Sequence, residues 1–183
     1  MTEGTAGFRI RPARESDLDV IAGFEIDIAR ASFGDEAIED AALHRKRVAA
    51  ALGKPAEVTL VAVAVQSEAE MGRHAGGGGE GAPVGWAWLS GRTNSLTGAR
   101  YGNFRSLATA DVPGRGTIGE LLMAAVVEAA AQAGYTHLTG KTHTSNLGMR
   151  ALYRKFGFEA THLTMEWRPG APPAGQGGGE AGR

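Results

Sequence analysis

Apolar and polar positions divide the chain into segments of two different periods. Phe8-Arg-Ile-Arg-Pro12 alternates apolar and basic, which predicts a short first strand. Ser16 and Asp17 are helix-capping residues placed before Leu18, Ile21, Phe24 and Ile28, whose spacing predicts a helix. A second helix is expected from about Asp35 to Leu52, with Ala37, Ile38, Ala41, Ala42 and Val48 on its apolar side. Gly53 and Pro55 stop it. Val58–Val65 is apolar on both faces and predicts a buried strand, with Val84–Leu89 as its antiparallel partner. A turn at 94–98 leads into a strand over Tyr101–Asp111. Strict alternation there puts Tyr101, Asn103, Arg105, Leu107 and Thr109 on one face.

Gly114–Gly119 then opens a long helix to about Ala133, with Ile118, Leu121, Leu122, Ala125, Val126 and Ala129 on one stripe. Gly134 ends it. A strand over Thr136–His143, a short helix over Asn146–Phe156 and a last strand over Phe158–Trp167 complete the pattern. The order β-α-α-β-β-β-α-β-α-β predicts one α/β domain, a mixed and mostly antiparallel sheet with flanking helices.

Composition narrows the partners. The 183 residues suffice for one full core. A formal net charge of -1 supplies no global basic field, so neither nucleic acid nor a membrane is expected as a partner. With no cysteine there is no disulfide, thiolate metal site or cysteine nucleophile. Met1–Gly7 does not read as a secretory signal, and no apolar run reaches the roughly 18 residues of a membrane span. A cytoplasmic location is the expectation. The five histidines show no ligand spacing, so no metal site is expected. Glycine clusters at 76–81 and 170–179 predict a flexible hairpin loop over about 67–83 and a disordered tail over 169–183. Residues 1–168 are left as the domain.

The chemistry concentrates between Tyr101 and Phe158. Val112-Pro-Gly-Arg-Gly-Thr-Ile-Gly119 joins a strand to a helix, and a glycine-rich helix start exposes unpaired N–H groups to an anion. Arg115 would add a charged contact. Gly114-Arg-Gly116-Thr-Ile-Gly119 also fits the dinucleotide fingerprint, but no Asp or Glu lies between Glu128 and Glu159 to hold a ribose. A nicotinamide dehydrogenase is therefore disfavoured.

Asn146-Leu-Gly-Met-Arg-Ala-Leu-Tyr-Arg-Lys-Phe-Gly-Phe158 resembles the closing motif of the GNAT N-acetyltransferase family. Asn146, Tyr153, Arg154, Lys155, Gly157 and Phe158 all match. The Gly114–Gly119 loop occupies that family's pyrophosphate-loop position, although Gly114 stands where a basic residue is usual and Thr117 where a glycine is.

The resemblance implies an acetyl-CoA cosubstrate. Its pantetheine arm would pair with the backbone around Leu107, Ala108 and Thr109. Its pyrophosphate would meet Gly114, Arg115, Gly116, Thr117, Ile118 and Gly119. Asn146 would hydrogen-bond the arm, and it is also placed to cap the helix it begins. Tyr153 would act as the catalytic acid, giving a proton to the leaving thiolate.

The base stays open among Glu25, Asp27, Asp111, His143 and a water chain. Trp86, Trp88 and Tyr101 are candidates for an acceptor pocket, with core packing the plainer role. Arg45-Lys-Arg47 reads as a solvated helix face. The implied function is acetyl transfer to a primary amine of a small molecule, such as an amino sugar or an antibiotic-like amine. A protein N-terminal or lysine acetyltransferase and a non-catalytic acyl-CoA-binding module remain alternatives, and a homodimer is left open.

Overall fold

Alternation along Phe8–Pro12 forms β1, and the continuous apolar run Glu57–Ala64 forms β2. Pro83–Thr93 and Arg100–Thr109 follow as β3 and β4, and Leu138–Gly140 as β5. The structure is a computed structural model that describes residues 7–65 and 81–162, together with Pro169. The expected glycine-rich loop and tail lie almost wholly outside these residues. The last expected strand does so from 163 onward, and residues 158–162 are not in a strand.

The sheet runs in the order β1-β2-β3-β4-β5. Its first three pairings are antiparallel, and β5 lies parallel to β4. The expected mixed, mostly antiparallel α/β architecture is therefore the observed one.

Among the described residues four helices flank the sheet: α1 (Leu18–Phe33), α2 (Ala41–Ala49), α3 (Arg115–Gln132) and α4 (Leu147–Lys155). Leu18, Ile21 and Phe24 of α1 and Val48 of α2 pack with Val61, Val63, Trp86 and Trp88 on one face. On the other face Ile118, Leu122, Met123 and Val126 of α3 pack with Ala62, Ala87, Leu89 and Phe104. Strands β2 and β3 are thus buried on both faces, which explains their unbroken apolar character.

Gly85 lets α3 approach β3 closely. A Cβ there would stand 2.6 Å from Ile118 Cγ2 and 2.9 Å from Leu122 Cδ1. None of α1–α4 is long and apolar enough to cross a membrane.

Several boundaries differ from the sequence pattern, each for a local reason. The second helix starts at Ala41, not Asp35, because the Asp40 carboxylate accepts the N–H groups of Ala42 and Leu43 at 2.8 and 3.1 Å. Residues 34–36 form a 3-10 turn, and Ile38 is exposed. Asp17 does not cap α1 with its side chain. Its carboxylate instead takes Arg11 and the Arg14 N–H. The buried stripe of α3 runs through Ile118, Gly119, Leu122, Met123, Val126 and Ala130, and Leu121 lies outside it. The strand expected over Thr136–His143 shortens to Leu138–Gly140, because β4 offers it only Gly102–Phe104 as partners.

Candidate functional site

One extra residue in β4 shapes the site. Trp88 pairs with Ser106 and Leu89 with Phe104, so Arg105 bulges out of the ladder. The bulge breaks the simple alternation expected over Tyr101–Thr109. Phe104 and Leu107 both pack on the α3 side, while Ala108 turns to the α1 side.

The bulge also re-aims the backbone. Before it, Gly102 N–H donates to the His137 carbonyl beside β5 at 3.0 Å. After it, Ala110 N–H donates to Val84 O of β3 at 2.8 Å. Successive N–H groups of a strand point to opposite edges, so those of Leu107 and Thr109 face away from β3. On that side the last pairing of β4 with β5 is Phe104 with Gly140. Beyond it the two strands part. Among the described residues, Leu107, Ala108 and Thr109 thus lie on a strand edge with no paired strand, which can accept an extended chain as an added strand.

The far end of this fork meets the N-terminus of α3. Gly114 is the N-cap in the left-handed region, with φ of 83°, and Ile118 N–H makes the first i to i−4 bond, to Gly114 O at 3.0 Å. Arg115 N–H is taken by Val112 O at 3.1 Å. The N–H groups of Gly116 and Thr117 precede the helical ladder and lie on exposed residues, as an anion site needs. Gly119 lies alongside Thr109 and Leu152, joining the loop to β4 and α4. The Arg115 side chain is paired with Asp111 at 3.0 Å, both exposed.

Gly114 is also crowded. A Cβ there would stand 3.0 Å from the Phe8 ring, so Gly114→Ala adds left-handed strain to a contact. It should cost about 1–2 kcal/mol in thermal denaturation. Gly116→Ala, with open space at its Cβ on helical backbone, should leave stability unchanged or raise it by up to about 1 kcal/mol.

Tyr153 sits at the base of the fork. Its ring meets Phe104 edge-on, with centroids 6.1 Å apart, and Phe158 at 4.8 Å. Its hydroxyl lies where a side chain on Gly140 would begin. Burial pushes the phenol up to about 12. Asn146 caps α4, its Oδ1 accepting from Met149 N–H at 2.9 Å, while its amide nitrogen has no partner among the described residues. Lys155 pairs with Glu120 at 2.5 Å and ties α4 to α3.

On the opposite face of the sheet, a cleft of about 160 Å³ opens between α1, α2 and the β4 bulge. Arg105 and Ser106 line it, next in sequence to Leu107 on the fork. Of the four candidate bases, Glu25 alone lines this cleft. It is 6% exposed and accepts the Trp86 indole N–H at 2.8 Å through Oε1. Asp27 is exposed on α1, and Asp111 holds Arg115. His143 is engaged with Ser145 at 2.6 Å. Trp86 and Trp88 are buried core, and Tyr101 stacks on His137 at 5.2 Å, away from the cleft.

His44 and Arg47 on α2 and Arg105 on β4 went unmarked as site residues because the two elements are far apart in sequence, and only packing brings them together on one cleft. The Arg45–Arg47 run in fact divides. Arg45 pairs with Asp19 at 2.9 Å, and Arg47 lines the cleft. Among the described residues no group of three or more His, Cys, Asp or Glu is placed to hold a metal.

The sequence profile of the Acetyltransferase (GNAT) family matches residues 36–158. No curated protein sequence matches the chain. Among solved structures, an aminoglycoside N-acetyltransferase in complex with CoA superposes with a TM-score of 0.66 at 17% identity, covering 93% of this chain and 100% of that one. A possible acetyltransferase from Clostridium difficile 630 gives 0.65 at 17%, covering 88% and 97%. An aminoglycoside 6'-N-acetyltransferase from Acinetobacter baumannii gives 0.61 at 15%, covering 91% and 100%. At such identities the likeness is one of fold. The family profile spans two thirds of the chain and takes in the β4 bulge, the glycine-rich start of α3 and the Asn146–Phe158 motif, so this protein belongs to the GNAT acetyltransferase family.

Proposed function

We propose that the protein moves an acetyl group from acetyl-CoA to the primary amine of a small molecule, by direct attack within a ternary complex. The observation that carries this is the fork beyond Phe104 and Gly140, with free backbone edge on one side and a helix N-terminus at its end. An extended pantetheine arm fits the first, and a pyrophosphate fits the second.

Backbone groups of Leu107, Ala108 and Thr109 hold the arm, and the Asn146 amide nitrogen adds a donor. Gly114, Gly116, Ile118 and Gly119 keep the loop backbone close to the phosphates, and Thr117 offers its hydroxyl. Arg115 trades Asp111 for phosphate. An exposed pair of that kind is worth at most about 1 kcal/mol, so the exchange costs little.

The amine enters from the cleft and its nitrogen attacks the thioester carbonyl carbon. The C–N bond forms and the C–S bond breaks. The Leu107 N–H polarises the carbonyl oxygen as charge develops. The proton lost by nitrogen passes to Glu25, directly or through water. Tyr153 O–H donates to the departing sulfur. With burial pushing the phenol up to about 12, well above the roughly 8.5 of a cysteine thiol, complete proton transfer to a thiolate is uphill. Tyr153 therefore acts chiefly as a hydrogen-bond donor that steadies the thiolate until it leaves.

Calorimetric titration with acetyl-CoA, with NAD as a control, tests the fork. Micromolar binding of acetyl-CoA alone is expected, and heat from NAD alone would sink the reading. Glu25→Gln keeps the Trp86 contact but loses the base. It should lower kcat about 10²-fold near neutrality, with partial recovery as pH rises and the free amine becomes abundant. An unchanged pH profile would remove Glu25 from that role.

A further inference from the structure

We infer that the acceptor carries a carboxylate beside its reactive amine, as an apolar amino acid does, and is not a polycationic amine. This rests on the acetyl transfer proposed above and narrows it through the charges around the cleft. Glu25 is the buried anion on the lining, and its Oε2 has no partner among the described residues. One ammonium satisfies it.

His44 lines the same cleft, 3% exposed. Its Nε2 faces the Ile38 carbonyl at 2.7 Å. A carbonyl only accepts, so Nε2 carries the hydrogen and Nδ1 of the neutral ring is an acceptor. That Nδ1 is buried without a partner among the described residues. A buried orphan acceptor is costly unless something fills it. An ammonium has three donors, and the Glu25 carboxyl group that lines the cleft beside His44 can accept from it.

The mouth of the cleft has the opposite sign. Arg47 from α2 and Arg105 from the β4 bulge both line it, both are exposed, and neither has a carboxylate partner among the described residues. Elsewhere on α1 and α2, Arg30 holds Glu39 and Arg45 holds Asp19. Arg105 lies over the Trp88 ring, 4.9 Å from its centroid, which fixes the guanidinium without neutralising it. Two unneutralised guanidiniums on one cleft suit a carboxylate, which takes paired N–H donors.

An aminoglycoside would instead set several ammonium groups against these two charges. The cleft, at about 160 Å³, is also well below the roughly 300–1,000 Å³ of drug-sized pockets. Ile28 and the 65% exposed Phe33 supply an apolar wall. A compact amino acid with an apolar side chain meets all three demands.

The test compares L-leucine with L-leucinamide and kanamycin A as acceptors for the full chain, read by release of the CoA thiol. Leucinamide keeps the amine and the side chain but loses the carboxylate. We expect kcat/KM for L-leucine to exceed that for either competitor at least ten-fold. Arg47→Gln, on an exposed side chain, should cost L-leucine at least ten-fold, mainly through KM, and leave leucinamide within two-fold. Arg105→Lys should act in the same direction. Equal or better turnover of leucinamide or kanamycin A overturns the inference. So does acetyl-CoA binding without turnover of leucine, or an Arg47→Gln loss shared equally by acid and amide. Failure to bind acetyl-CoA in calorimetry overturns the transfer reading itself, and this inference with it.

Discussion

Tyr153→Phe should lower kcat about 10²-fold and leave the dissociation constant for acetyl-CoA within about two-fold. The substitution isolates the hydroxyl. A phenylalanine ring keeps the edge-on contact with Phe104 and the packing on Phe158. What disappears is the O–H lying against Gly140, at the point where β4 and β5 part.

That hydroxyl has no hydrogen-bond partner among the described residues, so folding stability should be unchanged or slightly higher in the variant. Steady-state kinetics, calorimetry and denaturation measured together separate this from a structural defect. A variant with full turnover would remove Tyr153 from the chemistry. The pH dependence of stability gives a second check. Below about pH 10 the phenol is neutral in folded and unfolded chains alike. Between there and about 12 only the unfolded chain ionises, so stability falls as pH rises through that window. Tyr153→Phe should lose this part of the alkaline fall.

Asp17→Asn should be the most destabilising single change among these, at about 3–5 kcal/mol. Arg11 holds Asp17 with two hydrogen bonds, Nη1 to Oδ2 at 2.7 Å and Nη2 to Oδ1 at 3.0 Å. Their side chains are only 8% and 5% exposed. Asn removes the negative charge from this buried pair and replaces one of the two accepting oxygens by an amide group, between β1 and the start of α1. Such a loss is a large share of the roughly 5–15 kcal/mol that holds a typical domain together.

Acid should act through the same pair. Burial alone would raise the Asp17 pKa, but hydrogen bonds from Arg11 and from the Arg14 N–H, with the charges of both arginines, hold it below 3.8. Its contribution is therefore present above the unfolded value and lost as pH falls through the lower folded one. Urea denaturation at pH 7 and pH 3 reads both effects, and Asp17→Asn should flatten the acid limb. A loss below about 1 kcal/mol at pH 7 would show that the pair contributes little.

The legible parts of this chain were those set by near neighbours. Leu18–Ile28 and Ile118–Val126 show helical period, and a helix needs only contacts three and four residues apart. Val58–Val65 and Val84–Leu89 carry the unbroken apolar run of strands covered on both faces. Gly114 and Asn146 mark helix starts through their own backbone and side-chain chemistry. The motif from Asn146 to Phe158 therefore identified the family before any fold was in view. Local pattern misjudged the start of α2 because Ala37 and Ile38 fall at helical spacing from Ala41 and Ala42, and only the Asp40 cap sets the boundary.

Tertiary structure decided the rest. Period-two alternation places Arg105 with Tyr101 and Leu107, yet a single bulged residue against Trp88 and Leu89 separates them and turns the Leu107 and Thr109 N–H groups to the open edge. Whether a strand bulges depends on its partner's register, which its own sequence does not state. The cleft follows the same rule. Glu25, His44, Arg47 and Arg105 come from three elements and are neighbours only once α1 and α2 pack on the sheet. Arg47 and Arg45 look alike in the sequence, and Asp19, 26 positions from Arg45, neutralises one and not the other. Short-range chemistry encodes the middle of each of these helices and strands and the Asn146–Phe158 motif, so both were legible in the residue order. Which charges remain free to meet an acceptor is a property of distant segments brought together, so only the folded chain decides it.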